Sequence, residues 1–186
     1  TLRATAAGGA LNFAGQLSGL SKSELGATLA LVESPTARMA GGIFNSETAK
    51  RASQIKIAKD NISQSVGRDL SGGQIRKDEM KDFRVQLVPT FTDFADNNAI
   101  FTKLVNTSLG LSIAADTAIS RGAKANEEGV VPFTSKELTT ALADIAAVPV
   151  TPEIQDLVDS GQFDKAIQAR IDQVLSKGKT EKPIEE

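Results

Sequence analysis

The chain has 186 residues, of which 40% are hydrophobic and 24% charged, and its net charge is −2. It holds no His, Cys, Trp or Tyr, which removes the usual general base near neutral pH, the thiol nucleophile, the disulfide framework and the common zinc ligands. Aromatic residues are 4%, all Phe, and much of the apolar content is Ala, which buries little area per side chain, so a thin, extended helical array that leans on partners is expected.

In chain order, the first twenty residues place Leu11, Phe13, Leu17 and Leu20 two to four apart and predict a weak amphipathic helix, loosened by Gly8, Gly9, Gly15 and Gly19. Ser21 with Glu24 makes a capping box for a helix to about Glu33. Ser34-Pro35 opens a short helix that Gly41-Gly42 ends. Ser46 caps a better helix, Glu47 to about Val66, with Ala52, Ile55, Ala58, Ile62 and Val66 on one stripe and Gly67 as a stop. Residues 67–74 read as a loop. A helix follows from about Arg76 to Leu87, with Met80, Phe83, Val85 and Leu87 on its apolar side and Pro89 after it. Phe91 and Phe94 fall in a short link. The helix predicted over Asn97–Ser120 carries apolar residues on more than one face and should be the most buried, with Gly122 as its cap.

Ala123–Pro132 reads as a loop or hinge. Thr134 with Glu137 is a second capping box, starting a helix to about Ala147 that Pro149 stops. Thr151-Pro152 opens a helix of one or two turns ending near Gly161. In the last helix Phe163, Ala166, Ile167, Arg170, Ile171, Val174 and Leu175 step by three and one, with Gly178 as its end and a polar tail beyond. There is no exact internal repeat, and the one strand candidate, Val85–Phe91, is broken by Pro89. The predicted fold is all-α: an irregular, extended bundle of seven or eight helices without a sheet, divided into a helical arm (1–66), a bundle (67–178) and a flexible tail (179–186).

Four strings invite a chemical reading. Leu70-Ser71-Gly72-Gly73-Gln74 resembles, letter for letter, the signature loop of ABC-transporter ATPases. That loop works only opposite a phosphate loop, and no GxxxxGK[ST] is present. A glycine loop leading into a helix is the plainer reading. Its Gly72-Gly73-Gln74 is also similar to the peptide-release tripeptide of translation factors, with nothing around it in support. Glu33-Ser34 with Ala40-Gly41-Gly42 resembles lytic transglycosylases, but the further motif and groove aromatics of that family are missing, which leaves a helix end and restart. Asp93, Asp96 and Asn97 lack the central Gly and closing Glu of an EF-hand and read as a helix cap. Phe83, Phe91, Phe94 and Phe101 read as core, with a partner-binding patch as the other use. No catalytic, cofactor-binding or metal-binding residue is therefore assigned.

Charge is uneven along the chain. Residues 1–77 carry ten Lys/Arg against five Asp/Glu (+5), and residues 78–186 carry eleven against eighteen (−7). Such a chain can assemble head to tail or turn its basic half to an acidic partner, DNA included. No apolar run reaches the ~20 residues of a membrane span, no signal-peptide pattern is present, and the start at Thr1 reads as a trimmed, processed or partial chain.

Residues 33–44 (Glu-Ser-Pro-Thr-Ala-Arg-Met-Ala-Gly-Gly-Ile-Phe), 75–80 (Ile-Arg-Lys-Asp-Glu-Met) and 87–90 (Leu-Val-Pro-Thr), with Asp93 and Lys103-Leu104, are similar in texture to helical stretches of phage internal virion proteins. These are the core and DNA-ejection proteins of short-tailed phages. The resemblance implies a helical structural polypeptide, located in the virion, that contacts copies of itself and neighbouring virion proteins and needs no cofactor. The other function expected of such a chain is a cytoplasmic helical adaptor or scaffold that binds a protein partner.

Overall fold

Apolar residues recurring at three- and four-residue steps bury one face of each helix in turn, and caps set where each helix starts. The computed structural model describes residues 5–21, 24 and 46–180. Its helices are α1 (Thr5–Leu17), α2 (Ser46–Gly72), α3 (Lys77–Leu87), α4 (Asn97–Val105), α5 (Leu111–Ser120), α6 (Ser135–Ala147), α7 (Pro152–Asp159) and α8 (Phe163–Thr180). A 3₁₀ turn, Phe91–Ala95, precedes α4, and a π-helical turn, Asn106–Gly110, joins α4 to α5 in one rod. The protein is all-α. Among the described residues no sheet forms, and one isolated parallel bridge links Gln74 to Thr134.

The rod from Asn97 to Ser120 is the central element, as its two-faced pattern requires. Ile100, Leu104, Leu109, Leu111, Ala114 and Ala118 are all fully buried. Thr107 and Ser108 in its π turn are also fully buried. Thr107 Oγ1 donates to Leu87 O, and Ser108 Oγ donates to Leu104 O at 2.8 Å. A side chain that bonds its own preceding turn competes with the helical ladder, which is the local cause at hand for a widened turn. Gly122 (φ +99°) closes the rod: its N–H reaches Ile119 O and the Ala123 N–H reaches Ala118 O, each at 2.9 Å.

Helix α1 is not part of a separate arm. Its Ala6, Ala10, Phe13, Ala14 and Leu17 are buried in the same core as α4, α5 and α8. It packs most closely on α2, then on the π turn and α8. The expectation of a thin core missed what small residues do in a packed helix. A Cβ at Gly9 would sit 3.4 Å from Ile62 Cγ1, so glycine and alanine let backbones approach until larger neighbours such as Phe13 and Phe94 meet edge to face at 6.0 Å.

The boundary expected at residue 66 falls inside α2. Gly67 does not stop the helix, because Val66, Asp69 and Leu70 continue the buried stripe of Ala52, Ile55, Ala58 and Ile62. That burial outweighs the ~1 kcal/mol that glycine costs in a helix. Gly67 instead makes room for the Arg84 guanidinium, which donates to Ser63 O at 3.3 Å. At the other end α8 runs through Gly178 to Thr180. The 123–133 connection is pinned rather than hinge-like: Asn126 Oδ1 accepts the N–H groups of Glu128 and Val130, and Val130, Val131 and Phe133 are buried. The proposed helices after Glu24 and Ser34 lie outside the described residues, but the Ser21–Glu24 capping box is formed, with Glu24 N–H on Ser21 Oγ at 3.3 Å.

Candidate interaction surface

Each string singled out for chemistry that falls among the described residues is occupied by a structural task. Leu70, Ser71 and Gly72 form the last turn of α2, so Leu70–Gln74 presents a helix C-terminus, where carbonyls rather than N–H groups point outward. Its glycines answer a close approach. A Cβ at Gly72 would lie 2.5 Å from Val130 Cγ1, and one at Gly73 2.8 Å from Phe133 O, while Gln74 N–H donates to Phe133 O at 2.9 Å. Asp93 pairs with Lys103 at 2.7 Å, both side chains mostly buried. Burial alone would raise the Asp93 pKa, but the Lys103 ammonium and the Thr90 N–H and hydroxyl outweigh it and hold the group below its ordinary value. Asp96 N-caps α4 through the Asn98 N–H at 2.9 Å, and Asn97 Nδ2 donates to Val158 O at 2.9 Å. These three residues tie elements together and do not converge. Phe83, Phe94 and Phe101 are buried, which supports the core reading for them; the Phe91 side chain and Glu33–Phe44 lie outside the described residues.

The strongest electrostatic centre was legible only in part. The Thr134–Glu137 capping box forms, and the Arg121 guanidinium also donates to Glu137 through Nε at 2.9 Å and Nη2 at 3.3 Å. The Arg121 bonds, with the Thr134 N–H and hydroxyl, hold the Glu137 carboxyl down at about 2. A groove of about 450 Å³ runs beside this pair between α5 and α6, with Lys136, Thr140 and Asp144 on its wall. Two donors from Arg121 and two from Thr134 converge on the Glu137 carboxylate, which makes it a clasp between helix ends.

Arg170 is buried at 4% exposure on the apolar stripe where the spacing placed it. It donates to Ile145 O at 2.8 Å, Val148 O at 2.6 Å and Pro149 O at 3.2 Å, plus Gln173 Oε1 at 2.6 Å. The guanidinium thus closes the C-terminus of α6, where the helix dipole favours a cation. Burial pulls its pKa down.

The most exposed large apolar residue among those described lies on α3. The sequence puts Val85 on the apolar side with Phe83 and Leu87, but a two-residue step turns a helical side chain to another face. Phe83 and Leu87 are buried, and Val85 is 62% exposed. Helix α3 has a groove on each side: Gln86 borders both, and Val85 borders the one against α4. One, of about 460 Å³, lies against α4 between Gln86 and Asn98, Ala99, Thr102 and Asn106. The other, of about 260 Å³, lies against α6, where Phe83, Leu142 and Ala143 form the floor and wall. Grooves of this form are what packed helices present to each other. Among the described residues no group of three Asp or Glu is placed to hold a metal ion, and no helix is long and apolar enough to cross a membrane. No known protein family, curated protein or solved structure matches the chain.

Proposed function

We propose that this protein is an assembly component, a structural element of a phage virion of the internal core or DNA-ejection type, acting through helix-to-helix contact rather than catalysis. The observation that carries the assembly reading is the α3 surface: a valine exposed at 62% on the rim of the groove against α4, with a second groove beyond Gln86, on an element otherwise held in the core by Phe83 and Leu87. Isolated exposed apolar residues are ordinary, but one on the rim of a groove between two helices suits helix-in-groove recognition. Supporting it, the shifted carboxylates Asp93 and Glu137 serve ion pairs and caps. The opposed charge of the two halves of the chain, +5 and −7, suits contact between neighbours or with DNA. The virion part of the proposal rests on the resemblance over residues 33–44, 75–80 and 87–90, with Asp93 and Lys103-Leu104.

Native mass spectrometry and electron microscopy of the full chain test this reading. A symmetric species of many copies is expected. A chain that stays single, or pairs only with one unlike protein, would replace it with the adaptor reading.

A further inference from the structure

We propose that the outward face of α2, with the adjoining flank of α3, is a docking surface for the phosphate backbone of duplex DNA. The inference rests on the reading above, which allows contact with DNA, and names the surface and the chemistry that would make it.

Three observations carry it. First, α2 turns outward a stripe that holds cations and amides but no carboxylate. Ala52, Ile55, Ala58, Ile62, Val66 and Leu70 bury one side of the helix. On the other side Lys50, Gln54, Ile57, Asn61, Gln64 and Arg68 recur at steps of four and three, and all are exposed. From Lys50 to Arg68 the stripe runs about 27 Å along one helix. The carboxylates nearest to it are engaged elsewhere. Asp60 pairs with Lys56, and Asp69 is 3% exposed with its Oδ2 on the Ala6 N–H.

Second, α3 sorts its charges by side, and its cations flank α2. Lys77, Lys81 and Arg84 recur at steps of four and three, all exposed, so they share one face. The Arg84 guanidinium donates to Ser63 O on α2 at 3.3 Å and lies over Gly67, which fixes that face against α2. The acids of α3 fall further round the helix. Glu79 turns to α6, where Ser135 Oγ donates to it at 2.7 Å, and Asp78 and Glu79 both pair with Arg76. The packing of α3 between α2 and α6 therefore joins its basic stripe to that of α2 and keeps its acidic stripe apart.

Third, the make-up of this face selects a polyanion over a protein. Residues 46–87 carry nine Lys/Arg against six Asp/Glu (+3), and residues 88–186 carry nine against fifteen (−6), so the positive pole of the chain lies on α2 and α3. Among the described residues no ion pair holds Lys50, Arg68, Lys77 or Lys81. A protein interface needs an apolar, aromatic-rich centre with few charges. The large apolar side chain on this stripe is Ile57 alone, at 57% exposure. A phosphate backbone needs cations and neutral donors along a line, which Lys50, Arg68, Lys77 and Lys81 and the amides of Gln54, Asn61 and Gln64 supply. Such contacts read charge and not base sequence.

Fluorescence anisotropy of a short labelled DNA duplex of mixed sequence, titrated with the full chain over a series of salt concentrations, tests this. Binding at low salt is expected, with log affinity falling against log salt at a slope of about −3 to −5. The triple variant Arg68→Gln, Lys77→Gln, Lys81→Gln should bind about tenfold or more weakly, with the slope nearer zero by about one for each cation removed. A control triple, Lys124→Gln, Lys136→Gln, Lys165→Gln, makes the same change in net charge on other elements and should bind as the parent does. All six positions are exposed, so both triples should melt at the parent's temperature. If the first triple does not, the single variants Lys77→Gln and Lys81→Gln read the same change in slope. No binding at low salt, or an equal loss in the two triples, overturns the proposal. So does a first triple that binds DNA unchanged but no longer self-associates in sedimentation without DNA, which would give the face to an acidic surface of a second copy. A chain that forms multimers and ignores DNA loses this proposal and keeps the assembly reading; one that binds DNA as a monomer keeps the proposal and loses that reading.

Discussion

Asp69 on α2 caps α1 across sixty-three residues: its Oδ2 accepts the Ala6 N–H at 3.1 Å, at 3% exposure. Replacing it with Ala leaves a helix N-terminal N–H buried without its acceptor. Asp69→Ala should lower the unfolding free energy by about 2–3 kcal/mol, and Asp69→Asn, which keeps an acceptor, by clearly less. Urea unfolding reads this as a shift in midpoint at constant slope.

Glu137 gives the protein a pH-dependent element. Its pKa falls from 4.5 to about 2 on folding, so the folded state favours the carboxylate. The stabilisation is complete above pH 4.5 and is lost as pH falls toward 2. Because Arg121 is 49% exposed, solvent screens the pair, and the contribution is on the order of 1–2 kcal/mol. Glu137→Gln should be less stable than the parent at pH 7, with the difference shrinking through that acid window in melting experiments.

Arg170 should tolerate no simple replacement. Arg170→Ala withdraws donors from Ile145, Val148 and Pro149 carbonyls and should cost about 2–4 kcal/mol. Arg170→Lys should recover only part of this, since a single ammonium nitrogen cannot stand at both the Nη1 and Nη2 positions from which the carbonyls are reached. Chemical denaturation of the three proteins checks the order.

The last helix offers a paired test of burial. Ile171 is 4% exposed and Leu175 is 44% exposed, though both sit on the stripe read from the sequence. Ile171→Asp should cost several kcal/mol by burying an unpaired carboxylate, and Leu175→Asp less than about 1 kcal/mol. Thermal melts of the two variants would show whether α8 packs on the face described.

What was legible in the sequence was local. The Ser21–Glu24 and Thr134–Glu137 boxes, the Thr151-Pro152 start of α7 and the left-handed glycines at 122 and 161 bond within six residues of themselves, so spacing suffices to find them. The buried stripe of α2 and the Asn97–Ser120 rod followed from period alone. What failed was set by distant residues. Gly67 looked like a stop because nothing nearby announces Arg84, and residues 67–74 looked like a loop because Val130 and Phe133, which crowd Gly72 and Gly73 at the end of α2, lie about sixty residues away. The Asp69 and Ser18 caps have partners 63 and 146 residues off. The α3 surface was hidden for the same reason: Val85 reads as apolar, and only the burial of Phe83 and Leu87 against the rest of the core decides that it faces out.

Sedimentation velocity of the full chain and its Val85→Glu variant, across a wide concentration range at low and high salt, tests the assembly claim most directly. The account predicts that the parent sediments faster as concentration rises, while Val85→Glu, altered at a 62% exposed site, melts at the same temperature and associates far less. A parent chain that remains a monomer throughout, indifferent to salt and to the Val85 substitution, would contradict it.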